Sequence, residues 1–142
     1  KHKWRADQAG DIIITPENIT PLSDKELRNC GLSRPKILYI RDLTDRVTSD
    51  RLWVTSLERL SDEEIVKELT SVKGIGEWTA QMFLMFTLAH PDVFPVGDLG
   101  LRNAFDRVVK KGLDKMEMSK FALRWKPYRT IASWYIWKST EG

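Results

Sequence analysis

Residues 72–80 read VKGIGEWTA, two glycines around an isoleucine and then a tryptophan. One glycine inside a helix costs about 1 kcal/mol relative to alanine, so two within three residues mark a deliberate break between helices. The stretch before it opens with Ser61-Asp62-Glu63-Glu64, the Ser-x-x-Glu spacing of a capping box, and places Ile65, Val66 and Leu69 on one side. The stretch after it, residues 77–89, is apolar almost throughout: Trp78, Ala80, Met82, Phe83, Leu84, Met85, Phe86, Leu88. A helix apolar all round is normally enclosed by others, so this one is expected at the centre of the fold. A second helix that starts at a glycine turn offers unpaired backbone N–H groups, which bind phosphate through donors and dipole together. Gly74 and Gly76 would let a phosphate backbone approach, with Ile75 plugged back into the helix pair. The spacing alone fits an ordinary glycine-capped turn as well.

Outward from this stretch the chain reads as helix nearly everywhere. Thr15 caps and Pro16 opens a short turn through Ile19, and Ser23 with Glu26 forms another capping box whose helix Gly31 stops. Ser33 starts a longer helix with Ile37, Ile40, Leu43 and Val47 along one stripe. Beyond the apolar helix, His90-Pro91-Asp92 forms a stop, and residues 93–98 (VFPVGD) make a stiff apolar connector to Asp98. Leu101, Phe105, Val108 and Val109 face inward on the next helix; Arg102, Arg107, Lys110 and Lys111 lie outside, and Gly112 ends it. A short helix spans about Ser119 to Arg124. Pro127 fits the start of a last one that runs to about Lys138, with Ile131, Trp134, Tyr135 and Ile136 packing and Trp137 undecided. Period-two β-branched sequence is confined to residues 11–14, too short to found a sheet. The expectation is an all-α bundle in a single domain, residues 1–142.

Composition narrows the function. The single Cys30 excludes an internal disulfide and any cysteine-ligated zinc or iron–sulfur centre, and fits a reducing, intracellular compartment. No run reaches the roughly 18 apolar residues of a membrane helix, and residues 1–10 carry no apolar signal-peptide core, so a soluble chain is expected. A net charge of +3, from 23 Lys and Arg against 20 Asp and Glu, permits nucleic-acid binding without requiring it. His2 and His90 have no metal-ligand company. Six tryptophans are the unusual feature; such residues anchor cores or form stacking surfaces for flat ligands. Asp98, directly ahead of an amphipathic helix, reads as its N-cap, while the apolar 93–97 segment would hold the carboxylate in a partly desolvated place.

The combination of LTSVKGIGEWTAQMF, VFPVGDLGLRNAF and RWKPYRTIASWYIW resembles the helix-hairpin-helix (HhH-GPD) DNA glycosylases, in particular the alkylbase, or 3-methyladenine glycosylase II, branch. The likeness covers about residues 15–140. It implies base-excision repair of double-stranded DNA: the damaged nucleotide is flipped out and its N-glycosidic bond hydrolysed. It puts Asp98 in the place of the catalytic aspartate, stabilising the oxocarbenium-like state or orienting water. The lyase lysine of related enzymes falls at Trp78, and an indole cannot form a Schiff base, so the implied enzyme is monofunctional. Trp78 and Trp137 match aromatic positions lining the base pocket, suited to a cationic alkylated purine, and Met82 stands where some relatives carry another aromatic. Trp4, Trp53, Trp125 and Trp134 are assigned to structure.

The same resemblance assigns the DNA backbone to Lys73, Gly74, Ile75, Gly76 and Thr79. It also implies a structural Na+ or K+ on the backbone carbonyls of Thr70, Val72 and Ile75, with no catalytic cofactor. It implies, ahead of the ITPENI segment, two or three further helices with an Ile-x-x-Gln-Gln-type stretch and a residue that wedges into the flipped-base gap. The chain is therefore expected to be the C-terminal two-thirds of a glycosylase domain, with residues 1–10 as the tail of such a helix. Two other readings stand beside it: a non-catalytic hairpin module that only binds DNA, and a glycosylase for uracil or mismatched thymine.

Overall fold

Local sequence signals set most of the helix boundaries seen in the computed structural model, which describes residues 14–49, 57 and 59–140. Among these residues the secondary structure is helical, with no strand. The expectations for His2, Trp4, Trp53 and most of the 11–14 run lie outside them. By their contacts the described residues form two compact units. One holds those up to Leu60 together with Lys67–Ile75; the other holds Ser61–Val66 and those from Gly76 onward.

In the first unit, α1 (Pro16–Ile19) starts at Thr15, whose Oγ1 accepts the Asn18 N–H at 3.4 Å. The helix α2 (Asp24–Asn29) carries the expected capping box: Ser23 Oγ accepts the Glu26 N–H, and the Glu26 carboxylate accepts the Ser23 N–H at 2.8 Å. Gly31, at φ +87°, closes it in the left-handed region that disfavours side chains. Both short helices pack on α3 (Arg34–Thr48), and Ile19, Leu22, Leu27 and Ile37 form the core with Leu32 and Ile40 against it. The Arg41 guanidinium ties the α1–α2 connection down, donating to the carbonyls of Ile19, Thr20 and Leu22 and to Asp24. The stripe expected on α3 is only partly interior. Cover reaches Ile37 and Ile40, whereas Leu43 is exposed.

The helix α4 (Asp62–Thr70) begins at the Ser61 capping box, with Ser61 N–H on Glu64 Oε2 at 2.8 Å and Glu64 N–H on Ser61 Oγ at 3.3 Å. A turn follows in which Gly74 takes φ +83°, and then comes α5 (Glu77–Phe86). This helix is shorter than the apolar run. The amides of Leu88 and His90 fold back on the Phe83 and Leu84 carbonyls at 3.1 and 2.9 Å, with Ala89 at φ +55°, and so terminate it at Thr87. Nor is it enclosed: Ala80, Leu84 and Met85 are buried, but Trp78 is 49% and Phe86 62% exposed. The apolar residues on that face serve a surface instead of a core.

In the second unit, α6 (Leu99–Val108), α7 (Lys115–Ala122), a 3₁₀ turn (Leu123–Trp125) and α8 (Arg129–Lys138) surround Phe94, Leu101, Ala104, Phe105, Met118, Ala122 and Ile136. Trp125 is structural as expected, with its ring near those of Phe94, Phe105 and Phe121. Several inward and outward assignments change. Val108 turns outward and Val109 packs on the core, while Arg102 is half-buried. The helix α7 starts at Lys115, ahead of the expected position, because Asp114 and Glu117 form a capping box. Pro127 precedes the N-cap Tyr128 instead of opening α8. On α8, Ile136 is buried, but Ile131, Trp134 and Tyr135 are exposed, so Trp134 is not the core residue the sequence suggested.

Candidate active site

The connector ahead of Asp98 is anchored by side chains at the start of α8. Thr130 Oγ1 donates to the His90 carbonyl at 2.7 Å and accepts the Val93 N–H at 2.9 Å, and its own N–H donates to the Pro91 carbonyl. Arg129 grips Asp92 through Nε (2.7 Å) and Nη2 (2.9 Å). The Arg129 hydrogen bond is the main reason the Asp92 carboxyl is held below its ordinary range. His90 Nδ1 lies 2.6 Å from Asp62 Oδ1, which joins the end of α5 to the start of α4. Val93, Phe94 and Pro95 are buried, and the Asp98 N–H donates to the Pro95 carbonyl at 2.8 Å. An apolar segment fixed at both ends therefore delivers the aspartate to one place.

There Asp98 has two roles. As N-cap of α6 its Oδ1 accepts the Leu101 N–H at 2.6 Å. The same oxygen accepts the Trp137 indole N–H at 2.9 Å, and Oδ2 accepts that of Trp78, also at 2.9 Å. Three N–H donors from α5, α6 and α8 thus orient one half-exposed carboxylate. Hydrogen bonds to a carboxylate are among the stronger kind, so three of them favour this one orientation of the side chain. The sequence reading gave both indoles to a flat base; the structure adds that both hold the aspartate. The Trp137 ring is stacked on Phe86, with centroids 6.3 Å apart and planes at 30°.

Two residues of this cluster were not picked out from the sequence. Phe86 falls eight positions after Trp78 with Met82 midway, and that i, i+4, i+8 spacing was readable as one helix face. Gly100 was readable as a helix-weakening residue in the first turn of α6. A Cβ there would stand 3.2 Å from Asp98 Oδ1 and 3.8 Å from Trp137 Nε1.

The residues assigned to DNA lie along the chain from Lys73 to Thr79. Gly74 is obligatory: besides its positive φ, a Cβ would meet the Tyr39 ring at 2.3 Å. Gly76 has φ −92° and open space around a built Cβ, so nothing inside the chain demands glycine there. It is the N-cap of α5 and has no side chain to cap with, which leaves the first-turn amides of that helix to other acceptors. Thr79 and Lys73 are exposed, and Ile75 is half-buried, its N–H donating to the Val72 carbonyl at 3.1 Å.

A family profile for the HhH-GPD superfamily of base excision DNA repair proteins matches residues 1–127. The chain belongs to this superfamily. Within HhH-GPD proteins it is 37% identical over 130 residues to DNA-3-methyladenine glycosylase 1 of Schizosaccharomyces pombe, covering 89% of this chain and 57% of that enzyme. The crystal structure of a DNA-3-methyladenine glycosidase from Bacillus halodurans aligns with TM-score 0.84 and 39% identity over 93% of this chain and 62% of the other. An S. pombe 3-methyladenine DNA glycosylase in complex with abasic DNA aligns with TM-score 0.83 and 35% identity over 96% of this chain and 67% of the other. The chain thus spans roughly three-fifths of the length of these relatives, and the all-α HhH-GPD fold is common to them.

Proposed function

We propose that this chain is the catalytic part of a monofunctional DNA glycosylase, intracellular, that releases alkylated purines of the 3-methyladenine class from double-stranded DNA by base flipping. The observation that carries the reading is the Asp98 carboxylate held by Trp78, Trp137 and Leu101, in a chain whose relatives are named for this lesion.

In that reading Asp98 lies beside the anomeric carbon of the flipped nucleotide. As the N-glycosidic bond breaks, its electron pair leaves with the base, and the fixed anion stabilises the positive charge that develops on the sugar. Water then adds to the anomeric carbon and gives up its proton to bulk water, so that the cationic nucleotide ends as neutral base, neutral sugar hydroxyl and a solvent proton. With donors on both oxygens, Asp98 is better arranged to stabilise charge than to abstract a proton. A purine nucleotide alkylated on a ring nitrogen, such as 3-methyladenine, already carries positive charge, so the site needs no strong acid, and the exposed Trp78 face attracts such a base by stacking and cation–π interaction. Met82 and Trp137 complete the base contact. Trp78 stands where a lyase would need an amine, which supports hydrolysis without strand cleavage.

Lys73, Gly74, Ile75, Gly76 and Thr79 take the DNA backbone. The Thr70, Val72 and Ile75 carbonyls fit a structural Na+ or K+ in one respect: the Val72 oxygen, which accepts the Ile75 N–H, keeps a second lone pair.

The test is release of base from duplexes holding 3-methyladenine, ethenoadenine, uracil or mispaired thymine, with DNA affinity measured separately. Release of the charged purine ahead of the neutral bases is expected. Release of uracil or mispaired thymine as fast as 3-methyladenine supports the uracil or thymine reading, and tight binding without release supports the non-catalytic module.

A further inference from the structure

The turn at residues 71–75 is held from outside by three residues of α3, and none of them has a place in the chemistry above. The Lys73 N–H, past the end of α4, donates to Asp42 Oδ2 at 2.9 Å. The same oxygen accepts Arg46 Nε at 2.9 Å, and Arg46 Nη1 donates to Ser71 Oγ at 3.0 Å. Ser71 Oγ in turn donates to the Glu68 carbonyl at 2.7 Å. The Tyr39 ring lies where a side chain on residue 74 would have to go. We propose that Asp42, with Arg46 and Tyr39 beside it, is the positioning residue that fixes this turn in the shape that grips DNA phosphate.

The inference rests on the DNA reading of the turn given above. A carboxylate cannot itself bind phosphate, and next to a phosphate-gripping turn it repels the ligand unless neutralised. Arg46 supplies that neutralisation at hydrogen-bond distance, and Arg41 and Asp45 border the same cleft. The Asp42 carboxyl is held below its ordinary value, chiefly by the Lys73 backbone N–H, with Arg46 acting in the same direction. Its charge and the shape of the turn are therefore linked.

The experiment uses the natural protein at full length, a duplex with a stable abasic analogue for affinity across a salt series, and single-turnover excision at saturating DNA. For Asp42→Ala we expect affinity to weaken roughly tenfold, with the saturating rate within about twofold of wild type. The salt slope should be unchanged, because no phosphate contact is removed. Asp42→Asn keeps an acceptor for the Lys73 N–H and should recover most of the affinity. Arg46→Ala leaves the Asp42 charge facing phosphate and should weaken binding at least as much, and adding Asp42→Asn to it should restore part of the loss. Wild-type affinity in Asp42→Ala overturns the proposal. So does a slope reduced by about one, the mark of a direct phosphate contact. A saturating rate that falls in step with thermal stability overturns it too, since that is general unfolding. A wild type that does not bind DNA overturns the reading beneath the proposal, and the proposal with it.

Discussion

Gly100→Ala separates stability from activity at the Asp98 cluster. Position 100 lies in the first turn of α6, where alanine is favoured over glycine by up to about 1 kcal/mol, so the substitution alone should leave folding unchanged or improved. The added Cβ would stand 3.2 Å from Asp98 Oδ1, closer than the ordinary 3.4–4 Å contact, so the carboxylate must give by a few tenths of an ångström. That oxygen holds the bonds from Leu101 (2.6 Å) and Trp137 (2.9 Å), so displacing it weakens both. A hydrogen bond to a charged group contributes about 1.5–3 kcal/mol, and losing half of one such bond, about 0.75–1.5 kcal/mol, amounts to roughly 3- to 12-fold in rate. The assay pairs thermal unfolding with single-turnover release of 3-methyladenine. The propensity gain and the weakened cap offset each other, so a melting temperature close to wild type with release down severalfold to about tenfold is expected. Full release would refute the argument that Gly100 is there to make room for the carboxylate.

Trp78→Phe keeps a ring and removes the N–H on Asp98 Oδ2; release should fall by roughly tenfold in single-turnover assays, with a stability loss of about 1 kcal/mol because the half-exposed carboxylate regains water in place of the lost donor. Gly74→Ala combines a left-handed φ with a clash on Tyr39 and should cost at least about 1–2 kcal/mol in denaturant unfolding; adding Tyr39→Ala should recover only the clash. The Asp92 carboxyl is lowered by Arg129, so its contribution is complete above the unfolded value near 3.8 and is lost as pH falls through the lower folded value. Asp92→Asn should therefore destabilise by about 1–3 kcal/mol at neutral pH, and the gap to wild type in a pH series of unfolding measurements should close below about pH 4.

What could be read from the sequence follows the range of the forces involved. Capping acts over three residues, so the starts of α1, α2, α3 and α4, and Asp98 as a helix cap, were visible in Thr15, Ser23, Ser33, Ser61 and Asp98 themselves. Asp114 and Glu117 carried the same signal for α7, which the reading passed over. Contacts spanning long stretches of chain left no such trace. The indoles of Trp78 and Trp137 reach Asp98 across 20 and 39 residues, and nothing in local spacing says that an aromatic will donate to a carboxylate. Apolar character also misled. Residues of α5 and α8 that look like core on composition, Trp78, Phe86, Trp134 and Tyr135, stand exposed, because composition records a side chain's chemistry and not the face it occupies.

The central claim is that the charge on Asp98 drives base release. Asp98→Asn retains an oxygen acceptor for the Leu101 N–H, and so the helix cap, while removing the charge. In the natural protein at full length, release of 3-methyladenine under saturating single-turnover conditions should fall by about 100-fold or more, with affinity for the same duplex within a few-fold of wild type. Release at the wild-type rate by a variant that still binds DNA would contradict the account.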